Sequence, residues 1–220
     1  MTQSSDHRPD PWAHTRQTDK GIESHDLVEH LHEVARLAAG HAAPFGGHAW
    51  AHLAGLWHDL GKYRPGFQRY LRAASTADAE NAHIEGGAGR VSHSTAGALL
   101  ACEHFGTPGR VLAYLIAGHH AGLYDWHSEF NSLEARLGSE TSRTELAEAL
   151  AAAPPEILDH GDFAPDLRNL PGGSAGFALW LRMLFSALVD ADFLDTEAFM
   201  DEDDTSNSPV NAIQYLMELA

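Results

Sequence analysis

Apolar residues recur along this chain every three or four positions, and no stretch alternates convincingly at every second one. Leu27, Leu31, Val34, Ala35 and Ala38 share one face of a helix predicted over 24–39. Residues 48–60 read as a largely apolar helix carrying Leu53, Leu56, Trp57 and Leu60, with Gly61 placed to end it. Pro65 opens a short helix through Phe67, Tyr70 and Leu71. Residues 75–91 are small and polar, contain Gly86-Gly87-Ala88-Gly89, and read as a flexible loop. Ser92 is placed to cap a helix over 93–105, and a further helix covers 109–118. Ser142 and Glu145 form a capping-box pattern for a helix over 143–152, halted by Pro154-Pro155. After an irregular stretch, the strongest helix runs over 174–194, dense in Phe177, Leu181, Leu184, Leu188 and Phe193. Residues 1–20 form a polar N-terminal segment, and 200–220 an acidic linker with a last helix opened by Ser208-Pro209. The expected class is an all-α helical bundle, a single domain over 1–220.

Composition narrows this picture. The 220 residues suffice for one sizeable core. No run of about 18 apolar residues occurs, so no membrane span is expected, and the N-terminus lacks the apolar core of a signal peptide. The single cysteine, Cys102, excludes an internal disulfide and suits a reducing cytoplasm. The net charge of −17 argues against a free-standing, high-affinity nucleic-acid binder. Part of that charge is local, in Asp195, Glu197, Asp201, Glu202, Asp203 and Asp204. The 16 histidines are the other anomaly, because imidazole is the commonest metal ligand.

His58-Asp59 sets an imidazole beside a carboxylate in an apolar helix, where a charge without a partner is costly to bury. His30 sits between Leu27 and Leu31. His93 begins a helix. His119-His120 stands between Gly118 and Gly122, and Asp190 lies in the most apolar helix of the chain. Singly, each has an ordinary reading as a core, capping or surface residue. Together they make five imidazoles and two carboxylates on separate helices, a donor set suited to Mn, Fe, Co, Ni or Zn. Seven ligands exceed the need of one such ion, which points to a two-metal site able to activate water for displacement at phosphorus. Lys62 is either a phosphate-neutralising group or an ordinary exposed lysine.

In this order the motifs resemble the HD superfamily of metal-dependent phosphohydrolases. Five strings, Glu29-His30-Leu31-His32-Glu33, Leu56-Trp57-His58-Asp59-Leu60-Gly61-Lys62, His93-Ser94-Thr95-Ala96-Gly97, Gly118-His119-His120-Ala121-Gly122 and Asp190-Ala191-Asp192-Phe193-Leu194-Asp195-Thr196-Glu197, narrow the likeness to the HD nuclease of CRISPR type I interference. It runs from about residue 12 to 200. The resemblance implies a nuclease acting on single-stranded DNA, with one ion on His30, His58, Asp59 and Asp190. Asp59 would bridge to a second ion on His93, His119 and His120, with Lys62 facing the substrate. It also implies a helicase, fused or separate, and a guide-RNA effector complex as partners. No Gly-Lys-Ser/Thr phosphate loop is present in the chain. An HD phosphohydrolase acting on nucleotides or cyclic dinucleotides would share the ligands, and a metal-stabilised scaffold would keep them without turnover.

Overall fold

The computed structural model describes residues 10–75, 92–129, 131–168 and 170–201. Residues 76–91 of the loop expected over 75–91, and the C-terminal helix after Ser208, lie outside these residues. Nine α-helices and one two-stranded sheet occur among the described residues. The helices are α1 Leu27–Ala42, α2 His48–Trp57, α3 Pro65–Ala74, α4 Ser94–Phe105, α5 Gly109–Gly118, α6 Leu133–Leu137, α7 Glu140–Leu150, α8 Pro155–Leu158 and α9 Gly173–Asp201. The core forms where α1 packs on α2 and α9, and α4 on α5 and α7. Leu31, Val34 and Ala35 of α1 meet Leu53, Leu56 and Trp57 of α2, Leu112 and Ile116 of α5, and Leu184 and Leu188 of α9 in one buried cluster.

The sheet corrects the expectation of a strandless, merely polar N-terminal segment. Strand β1, Trp12–Thr18, pairs antiparallel with β2, Gly21–Asp26, and Thr18 stands opposite Gly21 across a two-residue turn. The alternation that betrays a strand is inverted here. Glu23 and His25 of β2 are half-buried, whereas Ile22 is exposed. A strand with its polar residues inward shows no apolar signal of period two. Arg16 locks the hairpin by donating to Glu23 Oε2 at 2.6 and 3.0 Å. Its third donor reaches the carbonyl of Phe199 on α9 at 2.5 Å. Asp26 then caps α1, accepting from the backbone N–H groups of Val28 and Glu29.

Three local expectations change. Ser139, not Ser142, caps α7, and the Ser142 hydroxyl instead donates to the Arg136 carbonyl. His93, not Ser92, occupies the cap position of α4 and makes no side-chain cap bond. Helix α2 ends at Trp57, so Asp59 is already outside it with φ −110° and ψ 20°, and Leu60–Tyr63 form a 3-10 turn.

Two glycines set the closest approaches around that turn. A Cβ at Gly55 would stand 2.6 Å from the Ala35 Cα, so α1 and α2 touch through backbone. Gly61 does not end a helix. Its N–H donates to the carbonyl of His93 at 3.1 Å, and a Cβ would collide with that carbonyl. The turn after Asp59 is thereby pinned to the start of α4. Gly61→Ala is expected to destabilise the fold by about 1–3 kcal/mol through forced backbone movement. A thermal melt unchanged from wild type would show that this approach tolerates a methyl group.

Candidate metal centre

Helix ends converge on the site. His58 is the residue after α2, His93 the residue before α4, and His119-His120 follow α5. His30 comes from the first turns of α1, and α9 passes alongside. The 3-10 turn then carries Lys62 back over Asp59.

Asp59 lies at the centre, fully buried. Its two oxygens face different neighbours. Oδ1 is 3.2 Å from His93 Nε2 and 3.5 Å from His119 Nε2. Oδ2 is 3.4 Å from His58 Nε2, 3.5 Å from His30 Nε2 and 2.6 Å from Lys62 Nζ. Three groups of potential ligands occur among the described residues: Asp59 with His93, His119 and His120, His30 with His58 and Asp192, and, at the hairpin side, His14 with His25 and His30. Within each group the donor atoms lie within 4.8 Å of one another.

The orientation of the imidazoles shows what the site fits. Nδ1 of His58 donates to the Gly55 carbonyl at 2.7 Å, and Nδ1 of His119 to the Ile116 carbonyl at 2.6 Å. A carbonyl only accepts, so both Nδ1 atoms carry hydrogen. Nδ1 of His30 meets Asp195 Oδ2 at 2.6 Å. In all three rings the inward Nε2 is buried and makes no hydrogen bond. Buried polar atoms are rarely left so. Imidazoles held at one nitrogen, with the other aimed beside carboxylates, are the arrangement that metal-bound histidines adopt. The nitrogen and oxygen donors therefore fit divalent transition-metal ions.

Electrostatics agree. Burial opposes charge on His58, but Asp59 and Asp192 outweigh it and push its pKa up to about 10. The chain alone thus keeps a proton where the site calls for positive charge. Burial favours neutral Asp59 and Asp192, yet Lys62 and His58 around the first, and His58 around the second, hold both carboxyls well below their usual range. Burial keeps His93 neutral, and burial with the neighbouring His119 lowers His120 to about 3. Those two rings therefore offer lone pairs at neutral pH.

The structure brings together His30, His58, Asp59, Lys62, His93, His119 and His120, but not Asp190. That carboxylate is 71% exposed and lies 3.9 Å from His41 on the outer side of α9. Asp192 stands in the expected place, 3.5 Å from both His30 Nε2 and His58 Nε2. Two residues turn a helix by about 200°, so Asp190 and Asp192 point opposite ways. The signal was available: Trp180, Leu184, Leu188 and Asp192 are spaced by four, whereas Asp190 continues the exposed row of Leu179 and Met183. Lys62 is not an ordinary exposed lysine. It is buried, ion-paired with Asp59, and donates to the Ala13 carbonyl of β1 at 3.0 Å. Asp195 and His25, which the sequence reads as solvent-facing, and His14, which it does not single out, also reach the site's edge.

Residues 12–166, more than half of the chain, match a family model described as Cas3, HD domain. The match contains the hairpin and every histidine above, and it stops before α9. No curated protein matches the chain. No helix among the described residues is long and apolar enough to cross a membrane.

Two outcomes follow from the geometry. Asp192→Ala should weaken Mn²⁺ binding by more than about 100-fold at one site, beyond the usual cost of losing an outer-shell partner, while Asp190→Ala binds as wild type. Equal effects of the two, read by calorimetric titration, would refute the placement. Because an ion must displace the His58 proton, affinity at the His30, His58 and Asp192 group should rise with pH across neutrality. The slope should be about tenfold per unit below the His58 pKa. A flat response between about pH 6.5 and 8.5 would mean that His58 is already neutral.

Proposed function

Because the chain belongs to the Cas3 HD-domain family, whose members are metal-dependent nucleases of CRISPR type I interference, we propose that it hydrolyses phosphodiester bonds of single-stranded DNA at a centre of two divalent transition-metal ions. The observation that carries this reading is the division of the Asp59 carboxylate, with Oδ1 toward His93 and His119 and Oδ2 toward His30 and His58. One ion would be held by His30, His58, Asp192 and Asp59, the other by Asp59, His93, His119 and His120. Bound there, such ions lower the pKa of water and offset charge building up at phosphorus.

The remaining work belongs to the chain's own side chains. Asp59 holds the two groups at a fixed separation. His120, the least buried member of its group, marks the side open to a substrate. Lys62 keeps Asp59 ionised and ties it to the hairpin. An acidic chain supplies little attraction for a DNA backbone by itself. Delivery of the strand by a helicase, fused or separate, and a guide-RNA effector complex in the cytoplasm fits that balance.

The test compares single-stranded DNA, duplex DNA, nucleotides and a cyclic dinucleotide in Mn²⁺, with Asp59→Asn as the control. Asn keeps an acceptor beside Lys62, whereas Ala would strand a buried ammonium at a cost of about 3–5 kcal/mol. Cleavage of the single strand should fall at least about 100-fold in Asp59→Asn. Turnover of nucleotides alone would assign a nucleotide phosphohydrolase. Metal uptake with no hydrolysis of any of the four would leave a scaffold.

A further inference from the structure

We propose that Asp195 is a positioning residue that fixes the ring of His30 so that Nε2 addresses the metal-holding group. The inference rests on the metal reading above and deepens it. His58 and His119 obtain their Nδ1 acceptors locally. Each sits just past a helix and reaches back three residues, to Gly55 and to Ile116. Both carbonyls fall within the last four residues of their helices, where the backbone has acceptors without an intrahelical donor. His30 has no such supply. It is the fourth residue of α1, and a helix start leaves spare N–H groups rather than spare carbonyls. An acceptor for its Nδ1 must come from another element.

Helix α9 provides it. Asp195 Oδ2 lies 2.6 Å from His30 Nδ1, and Asp192 Oδ1 lies 3.5 Å from Nε2 of the same ring. Residues three apart stand on one helix face, with Cβ atoms about 5–6 Å apart. The two carboxylates therefore flank the imidazole, one at each nitrogen, and remove its freedom to rotate. A carboxylate at Nδ1 demands hydrogen there, leaves the lone pair on Nε2, and makes that nitrogen a stronger donor.

The hairpin supports this arrangement from outside. His25 Nε2 lies 3.7 Å from Asp195 Oδ2, and Thr196 Oγ1 lies 3.3 Å from His14 Nε2. The His25 ring stacks on Phe199 at 4.7 Å. Both hairpin imidazoles also pack edge-on against His30, with centroids at 4.8 and 5.3 Å. The hairpin thus presses the Asp195-Thr196 step of α9 toward the histidine it orients.

The experiment titrates Zn²⁺ into wild type, Asp195→Ala and Asp195→Asn, each checked for folding by thermal melting. Long-range proton–nitrogen spectra of the loaded protein report the histidine tautomers. In wild type, His30 should carry hydrogen on Nδ1. Asp195→Ala should lose that signature and weaken one Zn²⁺ site roughly 10–100-fold, leaving the other unchanged. Asp195→Asn, whose amide oxygen still accepts, should keep the tautomer and recover most of the affinity. Wild-type affinity and an unchanged tautomer in folded Asp195→Ala would overturn the positioning role. So would loss of a whole Zn²⁺ equivalent in both variants, which would make Asp195 itself a ligand. A wild type that takes up no Zn²⁺ would overturn the metal reading, and this role with it.

Discussion

A carboxylate with no access to solvent governs the interior of this protein. Removing an ion from water costs several kcal/mol unless partners compensate. Asp59 has Lys62 at 2.6 Å and four imidazole nitrogens between 3.2 and 3.5 Å. The imidazoles come from α1, the end of α2, the start of α4 and the end of α5, and Lys62 from the 3-10 turn. Any rearrangement of the helices that separated them would leave an uncompensated buried charge. The fold and the site therefore share one constraint.

Close backbone contact makes that constraint achievable. Imidazoles reach a common carboxylate from four elements only if the elements approach more tightly than side chains normally allow. Gly55 lets α2 rest on the backbone of α1 at Ala35, one and a half turns beyond His30. Gly61 lets the turn after Asp59 hydrogen-bond to His93. The hairpin acts on the far side, where Gln68 of α3 both donates to and accepts from Trp12 at 2.9 Å, and Lys62 holds Ala13. Lys62 thereby couples the placement of β1 to the charge on Asp59.

Helical periodicity made most of the bundle legible, because α1, α2, α5 and α9 each bury a regular apolar row. The predicted limits of 109–118 coincide with α5. The hairpin stayed hidden for the reason that makes it useful: it turns His14 and His25 inward to meet His30, so apart from Ala13 its inward positions are polar. The histidines that converge on Asp59 stand out as motifs, but the sequence points to Asp190 where the structure turns Asp192 inward. Apolar surroundings in sequence drew attention to Asp190, whereas burial follows the helical row. Extending Leu184 and Leu188 by one further turn reaches Asp192, and by two reaches Asp195. Chemistry that needs buried acids takes over positions that the core pattern would otherwise fill with leucine. The pattern therefore has to be followed past the point where its residues stop being apolar.

The acidic balance of the chain also takes on a different meaning at the centre. Without metal, the carboxylates of Asp59 and Asp192 are offset by the ammonium of Lys62 and by the proton that they hold on His58. The ring nitrogens of His93 and His120 stay neutral. These charges offset one another inside a chain of net charge −17. Two divalent ions would add four positive charges and expel the His58 proton, while Lys62 stays in place. The centre would become strongly positive within a protein whose surface repels polyanions. Attraction for a phosphodiester would then exist only at the ligand cluster and only when it is loaded, because a Debye length of about 8 Å screens the distant acidic surface more than the buried charges. A strand brought to the site by other proteins would be held at the scissile phosphate and little elsewhere. That is the selectivity a nuclease needs if its substrate is chosen by its partners.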